Sequence, residues 1–266
     1  MRFWSLHGSV PYREVRELQL RLVEDRAADR IPDTILFLEH DPVVTRGRGL
    51  QFSEERICRH LPVANRAAWP DGIDFEESER GGDLTYHGPG QLICYPICKL
   101  GDGGAFSRHV SGFVRLIEEI AIEALAKWRI RGVRRENASG VWVENGEGSL
   151  RKLASVGIAV KHWVTYHGIA INCVNDLAPF RLISPCGFDP SVMTRMADLR
   201  TESGCGENWG SWRELLEKEF VSGFAKRAGF ASESPEIERI RLVSSGATFP
   251  KPRAAEEVHC ASEGHP

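Results

Sequence analysis

No stretch of the 266-residue chain reaches 18 consecutive apolar residues, and its start, Met1-Arg2-Phe3-Trp4-Ser5-Leu6-His7, has no long apolar core. These shortages argue against a membrane-spanning helix and a cleaved export signal, so a cytoplasmic protein is expected. Charge of one sign is scarce too: 34 Lys and Arg stand against 37 Asp and Glu, a formal net charge of -3. No broad field draws such a chain to nucleic acid or an anionic membrane, and neither is expected as a partner. The seven cysteines, at 58, 94, 98, 173, 186, 205 and 260, are odd in number and scattered. They read as reduced thiols and not as a disulfide framework. Missing as well are His-Glu-x-x-His, a second ligand pair to complement Cys94 and Cys98, Gly-x-Ser-x-Gly and a full P-loop. Those gaps speak against structural zinc, an α/β-hydrolase elbow and P-loop nucleotide binding, and no metal or cofactor is expected.

What is present fits one large globular core. Apolar residues make up 42% and charged residues 27%, and neither an internal repeat nor a linker interrupts the chain before residue 230. The reading is a catalytic-sized domain over 1–230 and a polar, partly disordered extension over 231–266. Strands are expected at 2–8, 34–39, 71–75, 92–97, 132–135, 140–144, 152–160, 165–174 and 240–243. Helical spacing of apolar residues predicts helices at 12–28, 105–128 and 211–228. Val43 to Gly49 reads as a short strand entering a basic glycine loop, and Ala159 to Val164 as a hairpin. Strands dominate the middle with long helices outside, so an α/β (α+β) architecture with a mixed sheet fits better than a regular βαβ array.

The most distinctive stretch is Arg80-Gly81-Gly82-Asp83-Leu84-Thr85-Tyr86-His87-Gly88-Pro89-Gly90-Gln91, which turns abruptly into an apolar run. Glycine lets backbone approach a ligand closely, and Pro89 restricts both itself and Gly88. The stretch reads either as the shaped wall of a pocket or as a tight hairpin connection with His87 as a structural histidine.

Two side chains carry reactive chemistry. Cys186 sits in Pro185-Cys186-Gly187, where a bend can expose a sulfur able to attack a carbonyl or thioester. A free thiol with a pKa near ~8.5 needs a neighbouring base or cation for that role, and an inert buried cysteine is the alternative. Lys152 precedes the apolar run Leu153 to Val160. A lysine at the lip of a buried strand can exchange protons and stabilise a thiolate; otherwise its stem merely covers apolar surface.

Taken together, separated stretches resemble the lipoyl(octanoyl) transferases, the lipoate-protein ligase B type. They are His40-Asp41-Pro42-Val43-Val44-Thr45, the Arg80 to Leu92 glycine stretch, Gly140-Val141-Trp142-Val143, Lys152-Leu153-Ala154-Ser155-Val156-Gly157, His167-Gly168-Ile169-Ala170-Ile171-Asn172 and Pro185-Cys186-Gly187. They occur in family order and span nearly everything to about residue 200. Leu153 and Ser155 replace the Ile and Ala common in the family, both modest changes in volume.

The resemblance implies a single domain similar to the catalytic domain of biotin and lipoate protein ligases, a mixed β-sheet flanked by helices. It implies transfer of an octanoyl group from octanoylated acyl carrier protein to a lysine of a lipoyl domain, without ATP. The acceptors would be lipoyl domains of 2-oxoacid dehydrogenase complexes and the glycine cleavage H protein. Cys186 would carry the acyl group as a thioester and Lys152 would move the protons. Arg80, Gly81, Gly82, Thr85, Tyr86, His87, Gly88, Gly90, Gln91, Ser155, Val156, Gly157, His167, Gly168 and Ala170 would line the substrate. An ATP-dependent ligase on the same fold, which the basic loop Arg46-Gly47-Arg48-Gly49 keeps open, is one competing reading. A non-catalytic protein that binds acyl carriers or lipoyl domains is the other.

Overall fold

The computed structural model describes residues 1–50, 69–145, 148–183, 185, 188–202, 211–229 and 235–242. The chain begins with β1 (Arg2–Val10), α1 (Tyr12–Ala27) and β2 (Thr34–His40), a parallel crossover unit. Pro11 stands at the helix entrance, where its missing N–H costs nothing, and Val15, Leu18, Leu22 and Val23 form the buried stripe. Next come β3 (Val43–Arg46), β4 (Asp74–Glu77), β5 (Leu84–His87) and β6 (Gln91–Ile97). The long helix α2 (Val110–Ala126) leads to β7 (Val133–Arg135), β8 (Ala138–Glu144), β9 (Leu150–Lys161) and β10 (Val164–Asn172). Among the described residues α3 (Met196–Glu202), α4 (Trp212–Arg227) and β11 (Ile237–Ile240) complete the fold.

Among the described residues eight strands form one mixed sheet in the order β11-β1-β2-β6-β10-β9-β8-β7. The β1–β2 and β1–β11 pairs are parallel and the other pairs of that sheet antiparallel. Both faces are covered. Ile35 and Phe37 point toward the core shared with α2 and α4, whereas Leu36 and Leu38 point toward α1. This explains why β2 is apolar at consecutive positions instead of alternating. A second, three-stranded sheet, β4-β3-β5, carries its own apolar cluster with Phe180 and Ile183. The mixed sheet flanked by helices is the expected architecture.

Several boundaries differ from expectation. The helix predicted from 105 starts at Val110, because Phe106 is used in extended backbone: its carbonyl accepts from Gly101 N at 2.7 Å while its ring packs on Phe113. The strand expected at 71–75 runs Asp74–Glu77, where it pairs with β3. The strand expected at 240–243 is Ile237–Ile240, and it pairs with β1. A boundary at 230 therefore parts the main sheet from one of its own edge strands. Leu84–His87, read as pocket wall or hairpin, is a strand of the small sheet and does not pair with β6. The glycine stretch is thus a crossover between two sheets. Residues 51–68, and the part of the expected extension from 243 onward, lie outside the described residues.

Candidate active site

β9 and β10 run antiparallel through the centre of the sheet, and the Arg80–Gly82 segment lies across them. Gly81 N donates to Ile158 O at 2.9 Å. A β-carbon on Gly157 would stand 2.6 Å from Gly81 O, so glycine at 157 is what lets two backbones meet there. Arg80 fixes the far side. Its buried guanidinium donates to Thr45 O and Asp83 O, both at 2.7 Å.

Two cavities adjoin this contact and share Gly81, Gly82, Val156 and Gly157 as walls. The narrow one, about 30 Å³, is also lined by Arg80, Thr85, His87, Tyr95, Ser155, His167, Gly168, Ile169 and Ala170. It is room for a few water molecules at most, too little as it stands for an eight-carbon chain. The wide one, about 760 Å³, is lined further by Asp83, His109, Val110, Ser111, Val114, Asn137, Ala138, Ser139, Lys152, Ile158 and Phe188.

The structure thus gathers eleven of the residues singled out from sequence around the narrow cavity: Arg80, Gly81, Gly82, Thr85, His87, Ser155, Val156, Gly157, His167, Gly168 and Ala170. Tyr86, Gly88, Gly90 and Gln91 line neither cavity. Tyr86 packs edge-on against Phe180 in the small cluster, and Gly88 lies against the Tyr86 ring. Gly90 N donates to Glu39 at 2.6 Å. Gln91 holds His87: Gln91 Nε2 donates to Asn172 Oδ1 at 2.8 Å, so its oxygen accepts from His87 Nδ1 at 2.7 Å. These four support the wall from behind.

The histidines behind the narrow cavity are neutral by construction. Burial pushes His40 down to about 4 and holds His87 well below the usual histidine range. His40 Nδ1 donates to Val10 O at 3.1 Å and Nε2 accepts from the Tyr95 hydroxyl at 3.0 Å. Burial also lowers His167, against a raising contact with Glu79. His167 has φ of 57°, a left-handed backbone in the middle of a strand. Its N–H donates to Gln19 Oε1 at 2.7 Å and its ring stacks parallel to Tyr12. Such strain persists only where the surroundings fix it.

The other wall belongs to Lys152. The residue is 2% exposed, and its Nζ lies 5.4 Å from the centre of the Trp142 ring, within cation–π range. Thr194 N donates to Lys152 O at 3.0 Å, which ties the strand to the segment that follows Phe188. Phe188 meets Trp142 edge-on at 5.3 Å, and the Arg135 guanidinium lies 4.8 Å from one ring and 4.9 Å from the other. Cys186 lies outside the described residues, but Pro185 and Phe188 on either side of it are joined by a 3.1 Å hydrogen bond from Phe188 N to Pro185 O.

Three other cysteines are accounted for. Cys94, Cys98 and Cys173 are free and buried, and burial raises all three thiols, so none offers a ready thiolate. Trp142, Phe188 and the first turn of α2 were not singled out individually from sequence, nor was Glu118. The signal for Glu118 was present: it is an acid on an otherwise apolar stripe, between Ile117 and Ala121.

A mixed sheet flanked by helices is the fold of the lipoyl-ligase class of catalytic domains, and in this chain it carries a glycine segment across its central hairpin and a buried lysine beside the wide cavity. Residues 11–209 match the family model described as the lipoyl protein ligase A/B catalytic domain. The fold is similar to that of lipoate-protein ligase A bound with ATP, with a TM-score of 0.59 at 14% identity, covering 92% of this chain and 90% of that one. It is also similar to a bi-partite lipoate protein ligase from Thermoplasma acidophilum, with a TM-score of 0.54 at 14% identity, covering 92% and 88%. At such identity the likeness speaks for the fold alone.

Sequence relatives narrow the class. The octanoyltransferase of Syntrophotalea carbinolica is 41% identical over 192 residues, 72% of this chain and 81% of the relative. That of Geobacter metallireducens is 38% identical over 192 residues, 72% and 80%. That of Rubrobacter xylanophilus is 38% identical over 229 residues, 84% and 92%. The chain belongs to the lipoyl protein ligase A/B catalytic-domain family, on its octanoyltransferase side, and is an acyl-transferring enzyme.

Proposed function

We propose that the enzyme moves an octanoyl group from octanoyl-acyl carrier protein to a lipoyl-domain lysine through a thioester on Cys186, with Lys152 handling the protons. The observation that carries this reading is the position of Lys152, buried on the wall of the wide cavity together with Phe188, two residues from Cys186. In the first half-reaction the Cys186 thiol gives its proton to the Lys152 amine and the thiolate attacks the incoming thioester carbonyl. The tetrahedral intermediate expels the carrier's pantetheine sulfur, which takes that proton back. In the second, the neutral acceptor lysine attacks the Cys186 thioester, Lys152 takes its surplus proton, and the cysteine sulfur leaves as the amide forms. A thioester replaces a thioester in the first step and an amide replaces a thioester in the second, so no ATP enters.

The apolar side of the wide cavity, made by Val110, Val114, Val156, Ile158 and Phe188, suits the acyl chain, at roughly 0.8 kcal/mol for each CH2 buried. The narrow cavity begins past Val156 and Gly157, and its occupation by chain requires side-chain movement. Lipoyl domains of 2-oxoacid dehydrogenase complexes and the glycine cleavage H protein are the acceptors we assign, and the cytoplasm the compartment. Among the described residues no helix is long and apolar enough to cross a membrane.

The test is intact-protein mass spectrometry with peptide mapping after mixing the enzyme with octanoyl carrier protein, without ATP. An octanoyl mass on the peptide holding Cys186, lost on adding lipoyl domain, is expected. Transfer that persists in Cys186→Ser defeats the covalent route. Strict dependence on ATP favours a ligase, and complex formation with no added mass favours a silent binding protein.

A further inference from the structure

Glu118 is a carboxylate where the stripe of α2 calls for an apolar residue. Ile117, Ile120 and Ala121 beside it are buried in the main core, and Glu118 itself is only 5% exposed. Taking a carboxylate out of water is costly, and well-packed apolar residues often replace buried ion pairs without loss. Packing alone therefore gives no reason for an acid at this position. What it touches does. Glu118 Oε1 accepts from Gly140 N at 2.8 Å, and Oε2 pairs with Arg134 Nε at 3.3 Å.

Gly140 is the residue against which Lys152 rests. Its φ is 126°, and a β-carbon there would fall on Ala154 O and stand 3.1 Å from Lys152 Cε. The β8–β9 register shifts at this point: Val141 faces Ala154 but Trp142 faces Lys152, which leaves Leu153 as the extra residue. Such a bulge re-aims the neighbouring side chains and leaves a backbone group outside the ladder. Gly140 lies just beyond Val141, the last β8 residue of that ladder, and Glu118 holds its N–H from the helix instead. Asn137, Ala138 and Ser139, which precede Gly140, line the same wide cavity as Lys152.

We propose that Glu118 is a positioning residue: by holding Gly140 N–H it fixes β8 beside the bulge in β9 and so the place from which the Lys152 amine serves the cavity. The inference rests on the reading of Lys152 as the proton carrier. Glu118→Leu removes the acceptor and keeps the volume. Glu118→Gln keeps an oxygen for Gly140 and gives up the charge opposite Arg134. Glu118→Asp keeps the charge but withdraws the oxygens by one carbon.

The experiment measures single-turnover acylation of Cys186 by octanoyl carrier protein across pH, together with Tm and the KM for the carrier. Glu118→Leu and Glu118→Asp are expected to acylate about tenfold or more slowly, because small misplacements of a reacting group are amplified in rate. KM is expected to stay within about twofold, and the limb of the pH–rate profile governed by proton transfer to move. Glu118→Gln is expected to stay within about threefold of the parent enzyme at every pH. Ile120→Val, a core change on the same helix, controls for stability and should lower Tm with no change in the pH profile.

Rates for Glu118→Asp within about threefold of the parent, or Glu118→Gln as slow as Glu118→Asp, overturn the proposal, and neither variant depends on Glu118→Leu folding. Lys152→Met, run alongside, separates the two claims. If it acylates normally, the reading of Lys152 has failed; if it is inert while Glu118→Asp is normal, only the role of Glu118 has failed.

Discussion

The two walls of the site are made by different means. One is the Arg80–Gln91 crossover with His40, His87, Tyr95 and His167 behind it, and nearly every polar group there is engaged by another. Arg80 reaches Thr45 and Asp83, His87 is held by Gln91, Gln91 by Asn172, and His40 lies between Val10 and Tyr95. Burial keeps its histidines neutral, so this wall resists change in charge and shape. The other wall, from Lys152 through Trp142 to Phe188, combines ring contacts with backbone anchors, Thr194 N to Lys152 O and Trp142 Nε1 to Ala138 O, and a helix carboxylate behind Gly140. It also carries Lys152, on which we place proton transfer. The difference teaches that shape and reactivity are built apart here: the rigid wall is spent on form, and the chemistry sits on a face supported from behind.

The sharpest way to break this comparison is Lys152→Met. It removes the amine and keeps an unbranched apolar stem against Trp142 and Gly140, so the sheet should tolerate it. Loss of a proton-transferring group costs about 10²- to 10⁴-fold in rate, and that loss is expected for acylation of Cys186 with little change in Tm. Rapid-quench kinetics and calorimetry measure the two quantities. A large fall in Tm with ordinary acylation would mean that this wall, too, is built for form.

The next effect belongs to the rigid wall and appears in stability, not rate. A histidine near 6.5 when unfolded and about 4 when folded binds its proton first in the unfolded state. As pH falls from about 6.5 to about 4 the unfolded chain takes up a proton that native His40 refuses, so stability is lost in that window and is full above it. For His40 the loss is about 3 kcal/mol, and His87, shifted in the same direction, adds to it. Urea midpoints between pH 7 and pH 4.5 should fall accordingly, and His40→Gln should flatten the slope. An unchanged slope in His40→Gln would show that His40 is not the group being titrated.

Much of this is legible in the sequence, and unevenly. The rigid wall announces itself as four glycines and a proline beside a strand, because close backbone approach is a demand only a few residue types meet. Lys152 and Cys186 stand out by chemistry and by company. What was hidden is whatever depends on contacts between distant segments. Phe106 fits the helical period of α2 yet is spent in extended backbone, since Gly101 offers it a partner. Leu84 to His87 alternates, with Leu84 and Tyr86 in the small apolar cluster and Thr85 and His87 on the narrow cavity, but four residues between glycines are too short a run to read as a strand. Gln91, placed on the substrate from its motif, braces His87. Glu118 looks like an interruption of an apolar stripe until Gly140, more than twenty residues on, is brought to it.

The smallest expected effect lies outside both walls, at the turn between β9 and β10, and it tests whether the left-handed backbone there is independent of the site. His162 and Trp163 have φ of 52° and 59°, the pair of left-handed residues that a two-residue type I′ hairpin requires. Neither is the asparagine or glycine that such turns favour. Trp163 is retained by a stacking contact with the Arg108 guanidinium, 3.9 Å from its ring. Among the described residues His162 has a 4.0 Å approach to Glu24 with both side chains about half exposed, a pairing worth little. Asparagine enters the left-handed region more readily than histidine, so His162→Asn should raise stability by a few tenths of a kcal/mol, up to about 1. Octanoyl transfer should be unchanged, since the turn lines neither cavity. Denaturant midpoints at pH 7 read the first and single-turnover rates the second. A stabilised variant with slower transfer would mean that the hairpin tip communicates with His167, five residues along β10, and that the left-handed backbone at both places belongs to one strained unit.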